Sequence, residues 1–457
     1  ESLLLTSLKY FEAAPYLEYN LTSSLDAKVS YSLRDESIPL NGEMIKQYSA
    51  ATQQFQLNYR GLKEISTSIS MSFRNKKYTE EFRKNGFGDN ETVLLLSQSR
   101  FNLWNGFITG DLYYQAATEQ SALMEKVFLK VQKGSGNYIY LGDLNNNGIS
   151  EENEFRITAY DGEFILVTVP TEKLYPVIAL KTNTRWRIDL SRIVTGEDFW
   201  AKIIKPISTE TFFRLEENSR DPQTNNIYLL KLSKFLNDAT TINGSQLFQN
   251  DVNLFQNSNE LSFRFRYTQR RSLNQFSGGI ENGYFRERGL RIKFKMMEEI
   301  SNQTEFMNQT DNLISPVATN RSRSVTRNNI STDFSYRPQR DIEIGFKIEA
   351  GRNEDFYQFL PSAIDLNSIT LRVNFSFENL GRLRIEAERI ELISSSNSAN
   401  LPYEMTRGNV IGKNYFWRIY FDYRVSSFVQ TSFSYDARVQ GSSRVIQTMR
   451  AEARAYF

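Results

Sequence analysis

The chain contains no cysteine and no histidine. Without histidine there is no Ser-His-Asp or Cys-His nucleophile and no imidazole to hold a transition metal, so the familiar hydrolases and zinc enzymes lose their working parts. The expectation is a protein that is not an enzyme. The lack of cysteine fits an oxidising envelope in which stray thiols are avoided. No run of about 18 apolar residues is present to make a helical membrane span, and mean hydropathy is −0.49. Excess charge is missing too: 55 basic residues meet 53 acidic ones, a net +2. No bulk field therefore recruits nucleic acid. Proline is scarce, 10 of 457 residues, whereas Phe and Tyr number 33 and 24. So large an aromatic complement argues against disorder and must be placed on a buried or lipid-facing surface.

What is abundant is alternation at period two in segments of roughly ten residues, the length a tilted membrane strand needs. Leu25, Ala27, Val29, Tyr31 and Leu33 share one face, with Asp26, Lys28, Ser30 and Ser32 on the other. The same pattern recurs at Leu261, Phe263, Phe265 and Tyr267, and at Leu290, Ile292, Phe294 and Met296. A barrel can be polar on average because half of each strand faces water. In the C-terminal third the spacing predicts strands near 328–337, 340–350, 367–378, 381–391, 413–425, 428–439 and 444–457. Tight turns at 337–340, 378–382 and 425–428 alternate with polar loops at 299–327, 351–366 and 392–412, and short turns on one side with long loops on the other describe an outer-membrane barrel.

The fold expected is thus all-β, an antiparallel transmembrane β-barrel of roughly 16–18 strands with a small β-rich insertion. Residues 1–117 and 201–457 supply barrel strands. Residues 118–200 form the insertion and return to the barrel, and the connection 272–287 is awkwardly long for the short-turn side. The opening Glu1-Ser-Leu-Leu-Leu-Thr lacks a basic start and a long apolar segment, so a mature chain or part of a longer one is expected.

The last residues place Met449, Ala451, Ala453, Ala455 and Phe457 on one face and Arg450, Glu452, Arg454 and Tyr456 on the other. A terminal aromatic on an alternating strand resembles the C-terminal signature of Gram-negative outer-membrane proteins. The stretch from Leu401-Pro-Tyr-Glu through Tyr415-Phe-Trp417 to Phe457 is similar to the closing hairpins of large envelope barrels from Bacteroidota-like bacteria. That resemblance implies location in the bacterial outer membrane rather than an activity. Tyr415, Phe416 and Trp417 would stand in an aromatic girdle at the lipid interface.

Asp143-Leu-Asn-Asn-Asn-Gly148-Ile-Ser-Glu-Glu-Asn-Glu154 matches the twelve-residue calcium loop D-x-[DN]-x-[DN]-G-x5-E. By that resemblance one calcium ion is bound by Asp143, Asn145 and Asn147 through side-chain oxygens, by the Ile149 carbonyl, by Glu151 through water, and by Glu154 in bidentate fashion. Gly148 permits the sharp turn. The alternative is a metal-free Asn-Gly turn. Asp189, Glu197, Glu216-Glu217 and Arg270-Arg271 have no spacing that chemistry requires and read as residues of a wet wall.

Two functions fit. One is a transport, secretion-associated or porin-like barrel lined by Arg264, Arg266, Lys293, Lys295, Arg372, Arg384, Glu386 and Glu388, a mixture of signs that argues against sharp ion selectivity. The other is a structural or adhesive surface protein whose loops and calcium-loop insertion bind partners. Membrane lipid and envelope or secretion-complex proteins are the partners expected, and a soluble all-β repeat protein is a further possibility.

Overall fold

The computed structural model describes residues 6–455 except 41, 63, 144–153, 222, 277–278, 317–318, 320, 358–359, 378–379 and 396–400. Strands dominate because Val, Ile, Thr, Tyr and Phe alternate with polar residues along much of the chain. β1 (Lys9–Ala13) and β2 (Tyr16–Thr22) both pair with β3 (Leu25–Leu40). They form one strand interrupted at Pro15, whose carbonyl still accepts from the Tyr31 amide although its own nitrogen cannot donate. The chain continues through β4 (Glu43–Leu62), β5 (Ile65–Tyr78), β6 (Asn90–Leu103) and β7 (Ile108–Lys130). A hairpin of β8 (Gly136–Tyr140) and β9 (Phe155–Gly162) leads to β10 (Phe164–Asp189). Then come β11 (Ile207–Ser219), β12 (Thr241–Leu254), β13 (Leu261–Phe276), β14 (Gly279–Lys295), β15 (Ile300–Ile314) and β16 (Arg323–Gln339). The last six are β17 (Ile342–Asp355), β18 (Ser362–Phe377), β19 (Gly381–Ser394), β20 (Gly412–Ser426), β21 (Val429–Gln440) and β22 (Ile446–Ala455).

Among the described residues all belong to a single sheet of 22 strands in which each pairs antiparallel with its neighbours. With β1 and β2 taken as one and the β8–β9 hairpin set aside, nineteen lie side by side, a longer row than alternation alone suggested. Among the described residues no ladder joins β22 to β1 or β2. An odd row also means that its two edges run in the same direction, so direct closure would require a parallel pair unlike every other.

The expected loops at 299–327 and 351–366 are corrected. The first contains all of β15, and only 315–322 joins it to β16; the second is mostly strand, with 356–361 as its connection. β15 escaped because Asn, Gln and Thr occupy both of its faces, so ladder hydrogen bonds rather than hydrophobic periodicity define it. For the same reason β12, with Asn and Gln on both faces, was missed. The long connection 272–287 is the ends of β13 and β14. These changes keep the alternation of ends: 315–322, 356–361 and 395–411 lie at one end of the row, and 340–341, 378–380 and 427–428 at the other. The former is called the loop end below.

β7 and β10 pair for almost their whole length, from Ile108 with Ile188 to Lys130 with Phe164. Neighbouring strands flank only their inner parts, so from Glu119 and Val177 outward they form an arm at the loop end that carries β8 and β9. Buried apolar clusters lie where connections fold back on the sheet. Tyr114, Leu180 and Leu215 pack with Ile227 of α3 (Thr224–Tyr228), which follows the short helices α1 (Glu80–Lys84) and α2 (Phe199–Ile204).

Candidate functional site

The two faces of the sheet differ in chemistry. On one, Val252, Phe265, Leu290, Phe306, Ile330 and Ala350 stand directly opposite one another on six successive strands. Similar rows run from Leu17 through Val29, Phe55 and Met71 to Leu95, and from Ile344 through Val373, Ile385 and Ile419 to Tyr435 and Met449. Many side chains of this face are uncovered: Phe265 and Leu371 are each 52% exposed and Met449 67%. An apolar surface this extensive needs a nonaqueous neighbour. Tyr415 and Trp417 stack on this face, whereas Phe416 points the other way, beneath the Arg418 guanidinium.

The opposite face carries an ion-pair lattice. Gly345, Arg372, Glu386, Arg418 and Asp436 form one cross-strand row of alternating charge. Arg418 meets Glu386 at 2.5 Å, Arg266 meets Asp251 at 2.8 Å, and Arg291 meets Glu305 at 3.0 Å. Arg372 reaches across β17 to Asp333 on β16 at 2.6 Å. Arg264, Arg266, Arg372, Arg384, Glu386 and Glu388 share this face, as alternation predicts, and Lys293 and Lys295 continue it at the far end of β14.

One segment folds across that lattice. α4 (Tyr403–Thr406), in the connection between β19 and β20, buries Met405 completely among Val325, Ile364, Leu366 and Leu392. Asn353 donates to the Met405 carbonyl at 2.7 Å. Glu404 pairs with Arg323 at 3.1 Å, and Arg407 with Glu349 at 2.8 Å. Just past α4, Arg407 and Gly408 take positive φ values of 53° and 78°, which turns the chain toward β20. There the buried Asn414 side chain bonds both the amide and the carbonyl of Val410. Sequence reasoning placed this stretch in a polar loop; the signal it passed over was the apolar pair Leu401 and Met405, both of which pack on this cluster.

Of the proposed calcium ligands, Asn145, Asn147, Ile149 and Glu151 lie outside the described residues. Asp143 and Glu154 are described. Glu154 is fully buried, and its carbonyl accepts from the Leu141 amide at 2.8 Å, closing the neck of the loop that joins β8 to β9. Local desolvation raises the Tyr140 hydroxyl above its usual pKa, and the nearby Glu154 and Asp143 carboxylates push in the same direction. Both ends of the motif therefore approach the same tyrosine.

Other charged residues singled out in the sequence have structural roles here. Asp189 accepts from the Ser191 amide, Glu216 pairs with Arg214, and buried Glu217 accepts from the Leu236 amide and the Thr241 hydroxyl. Arg271 is not on the charged face but on the apolar-facing side of β13, beyond Tyr267.

No protein-family model and no curated protein matches the chain. Among solved structures it is similar to the siderophore receptor PirA from Acinetobacter baumannii, with 8% identity and a TM-score of 0.39 over 98% of this chain and 73% of that one. It is also similar to the ferric enterobactin receptor PfeA from Pseudomonas aeruginosa, with 8% identity and a TM-score of 0.31 over 99% and 80% of the two chains. OmpT, an outer membrane protein of Vibrio cholerae, aligns over 100% and 99% with 10% identity and a TM-score of 0.26. At these scores the likeness decides neither fold nor role, both of which rest on this chain's own ladders and faces.

Proposed function

We propose that this chain forms the wall of a bacterial outer-membrane β-barrel with a transport-type role, its apolar face against lipid and its ion-paired face lining an aqueous interior. The observation that carries the reading is the separation of the faces: exposed apolar rows on one side back directly onto a charged lattice on the other. Strands sit in hydrocarbon without penalty only when their edges are paired, so this reading requires β22 to pair with β1 and β2 or with further strands. The mixed signs of the lattice favour a weakly selective polar path, with α4 lying across it as a constriction. Purified protein reconstituted into planar bilayers should conduct small ions of both signs. A protein that enters the bilayer but stays electrically silent would leave the wall without the passage.

A second reading, a surface-anchored structural or adhesive protein, draws on the β7–β10 arm at the loop end. In it we include one calcium ion held by Asp143, Asn145, Asn147, Ile149, Glu151 and Glu154, as the oxygen-rich spacing suggests. Envelope or secretion-complex proteins would then be the partners of the arm. Binding of the protein to another envelope component without conductance would favour this reading.

A further inference from the structure

Most arginines on the charged face sit against carboxylates, but three on the opposite face do not. Arg271 on β13 and Arg286 and Arg288 on β14 share the apolar-facing side, and among the described residues none of the three is in an ion pair. Arg286 donates to the Thr310 hydroxyl at 3.2 Å, and its Nε is buried without a partner. Arg286 and Arg288 stand two residues apart on one strand, about 7 Å, with Arg271 on the adjoining strand. Such a cluster of uncompensated guanidiniums is suited to an anion of several oxygens, which it can meet by bidentate hydrogen bonds.

Its position selects the kind of anion. Arg288 belongs to a polar row, Asn250, Tyr267, Arg288, Asn308, Asn328 and Arg352, that lies one pleat nearer the loop end than the apolar row from Val252 to Ala350. The two rows line a groove of about 900 Å³. Arg352 is already engaged by Glu354 at 2.8 Å and Asp365 at 3.8 Å, so the free positive charge sits on the β13–β14 side. The groove thus joins an apolar slot over Phe265, Leu290, Phe306 and Ile330 to Arg288 at its polar edge, with Arg286 one pleat and Arg271 two pleats farther toward the loop end on the same face.

We propose that this groove binds a membrane lipid with an anionic phosphomonoester headgroup, an acyl chain lying in the slot and the phosphate reached by Arg288 together with Arg286 and Arg271. The inference rests on the reading of this face as lipid-facing. A soluble anion would satisfy the arginines but not the slot, so the ligand is taken to be the lipid.

The test is native mass spectrometry of the purified full chain in detergent with equimolar dioleoyl phosphatidic acid and dioleoyl phosphatidylcholine. Phosphatidic acid should be retained roughly tenfold over phosphatidylcholine. Arg286→Gln with Arg288→Gln should bring the ratio near one, while Arg83→Gln, in the distant α1 connection, should leave it unchanged. Leu290→Ser should weaken retention of both lipids. Equal retention of the two by the native protein would overturn the proposal, as would full displacement of phosphatidic acid by millimolar inorganic phosphate, which would mark a free-anion site. If a parallel flotation assay shows that the protein does not enter vesicles at all, the membrane reading itself fails; normal insertion without preference for phosphatidic acid removes only the lipid site.

Discussion

The Arg372 guanidinium lies over Gly345 and reaches Asp333 two strands away, with one Nη atom 2.6 Å from both carboxylate oxygens. A Cβ at position 345 would stand 2.9 Å from the Arg372 Nε. The glycine therefore provides the space in which the ion pair crosses a strand, and three consecutive strands are tied together by side chains as well as by ladders.

Gly345→Val should break that crossing by forcing Arg372 away from Asp333. Removing a charge-assisted hydrogen bond from a partly buried site costs about 1.5–3 kcal/mol, and the two side chains are 28% and 24% exposed. Thermal unfolding in detergent, followed by circular dichroism, should show a lower midpoint for Gly345→Val and a similar one for Arg372→Gln. Because both changes remove the same bond, the double variant should be little worse than either single change.

Met405 is the anchor of the segment that crosses the charged face. Met405→Ser would leave a cavity among Val325, Ile364, Leu366 and Leu392, and losses of this type run to about 2–4 kcal/mol. That loss removes the segment's apolar anchor and leaves it held by the Asn353 hydrogen bond and the Glu404 and Arg407 ion pairs. In bilayers the variant should conduct more than the native protein. The chain has no cysteine, so a single Thr406→Cys replacement should label faster with a water-soluble maleimide when Met405→Ser is also present. Unchanged conductance and labelling would mean that the segment does not narrow the path.

The assignment of faces can be tested on neighbouring residues of one strand. Leu371→Arg would place a charge on the exposed apolar row and should impair folding into vesicles, with a cost of about 2–4 kcal/mol near the bilayer midplane. Asn374→Arg, on the charged face beside the Arg372 row, should fold nearly normally. The opposite ranking would reverse the faces.

The calcium proposal predicts that millimolar calcium slows proteolysis within 131–163 of the intact protein and that a chelator restores it. Glu154→Gln should remove the calcium effect by deleting the bidentate charge. It should leave strand content unchanged, because β8 and β9 stand outside the row of nineteen. Equal cleavage with and without calcium would leave a metal-free turn.

Much of this protein follows from the sequence by itself. Side chains alternate across a strand by geometry, so Leu261, Phe263 and Phe265, like Ile369, Leu371 and Val373, could be assigned to one face without coordinates. The absence of histidine excluded whole classes of chemistry, and the spacing from Asp143 to Glu154 is a local motif that any reader of the chain can find. Local pattern failed where hydrophobic contrast was low. In β12 and β15, Asn, Gln and Thr on both faces carry no period, and only the neighbouring ladders make them strands. Tertiary structure alone decided which residues meet across long separations. Arg372 finds Asp333 because β17 places a glycine between them, and Met405 reaches a pocket built from β16, β18 and β19. Arg288 borders an apolar groove, with Arg286 and Arg271 beyond it, because the register of β12 to β17 aligns two rows. Register is a property of pairs of strands, and no single strand's sequence contains it.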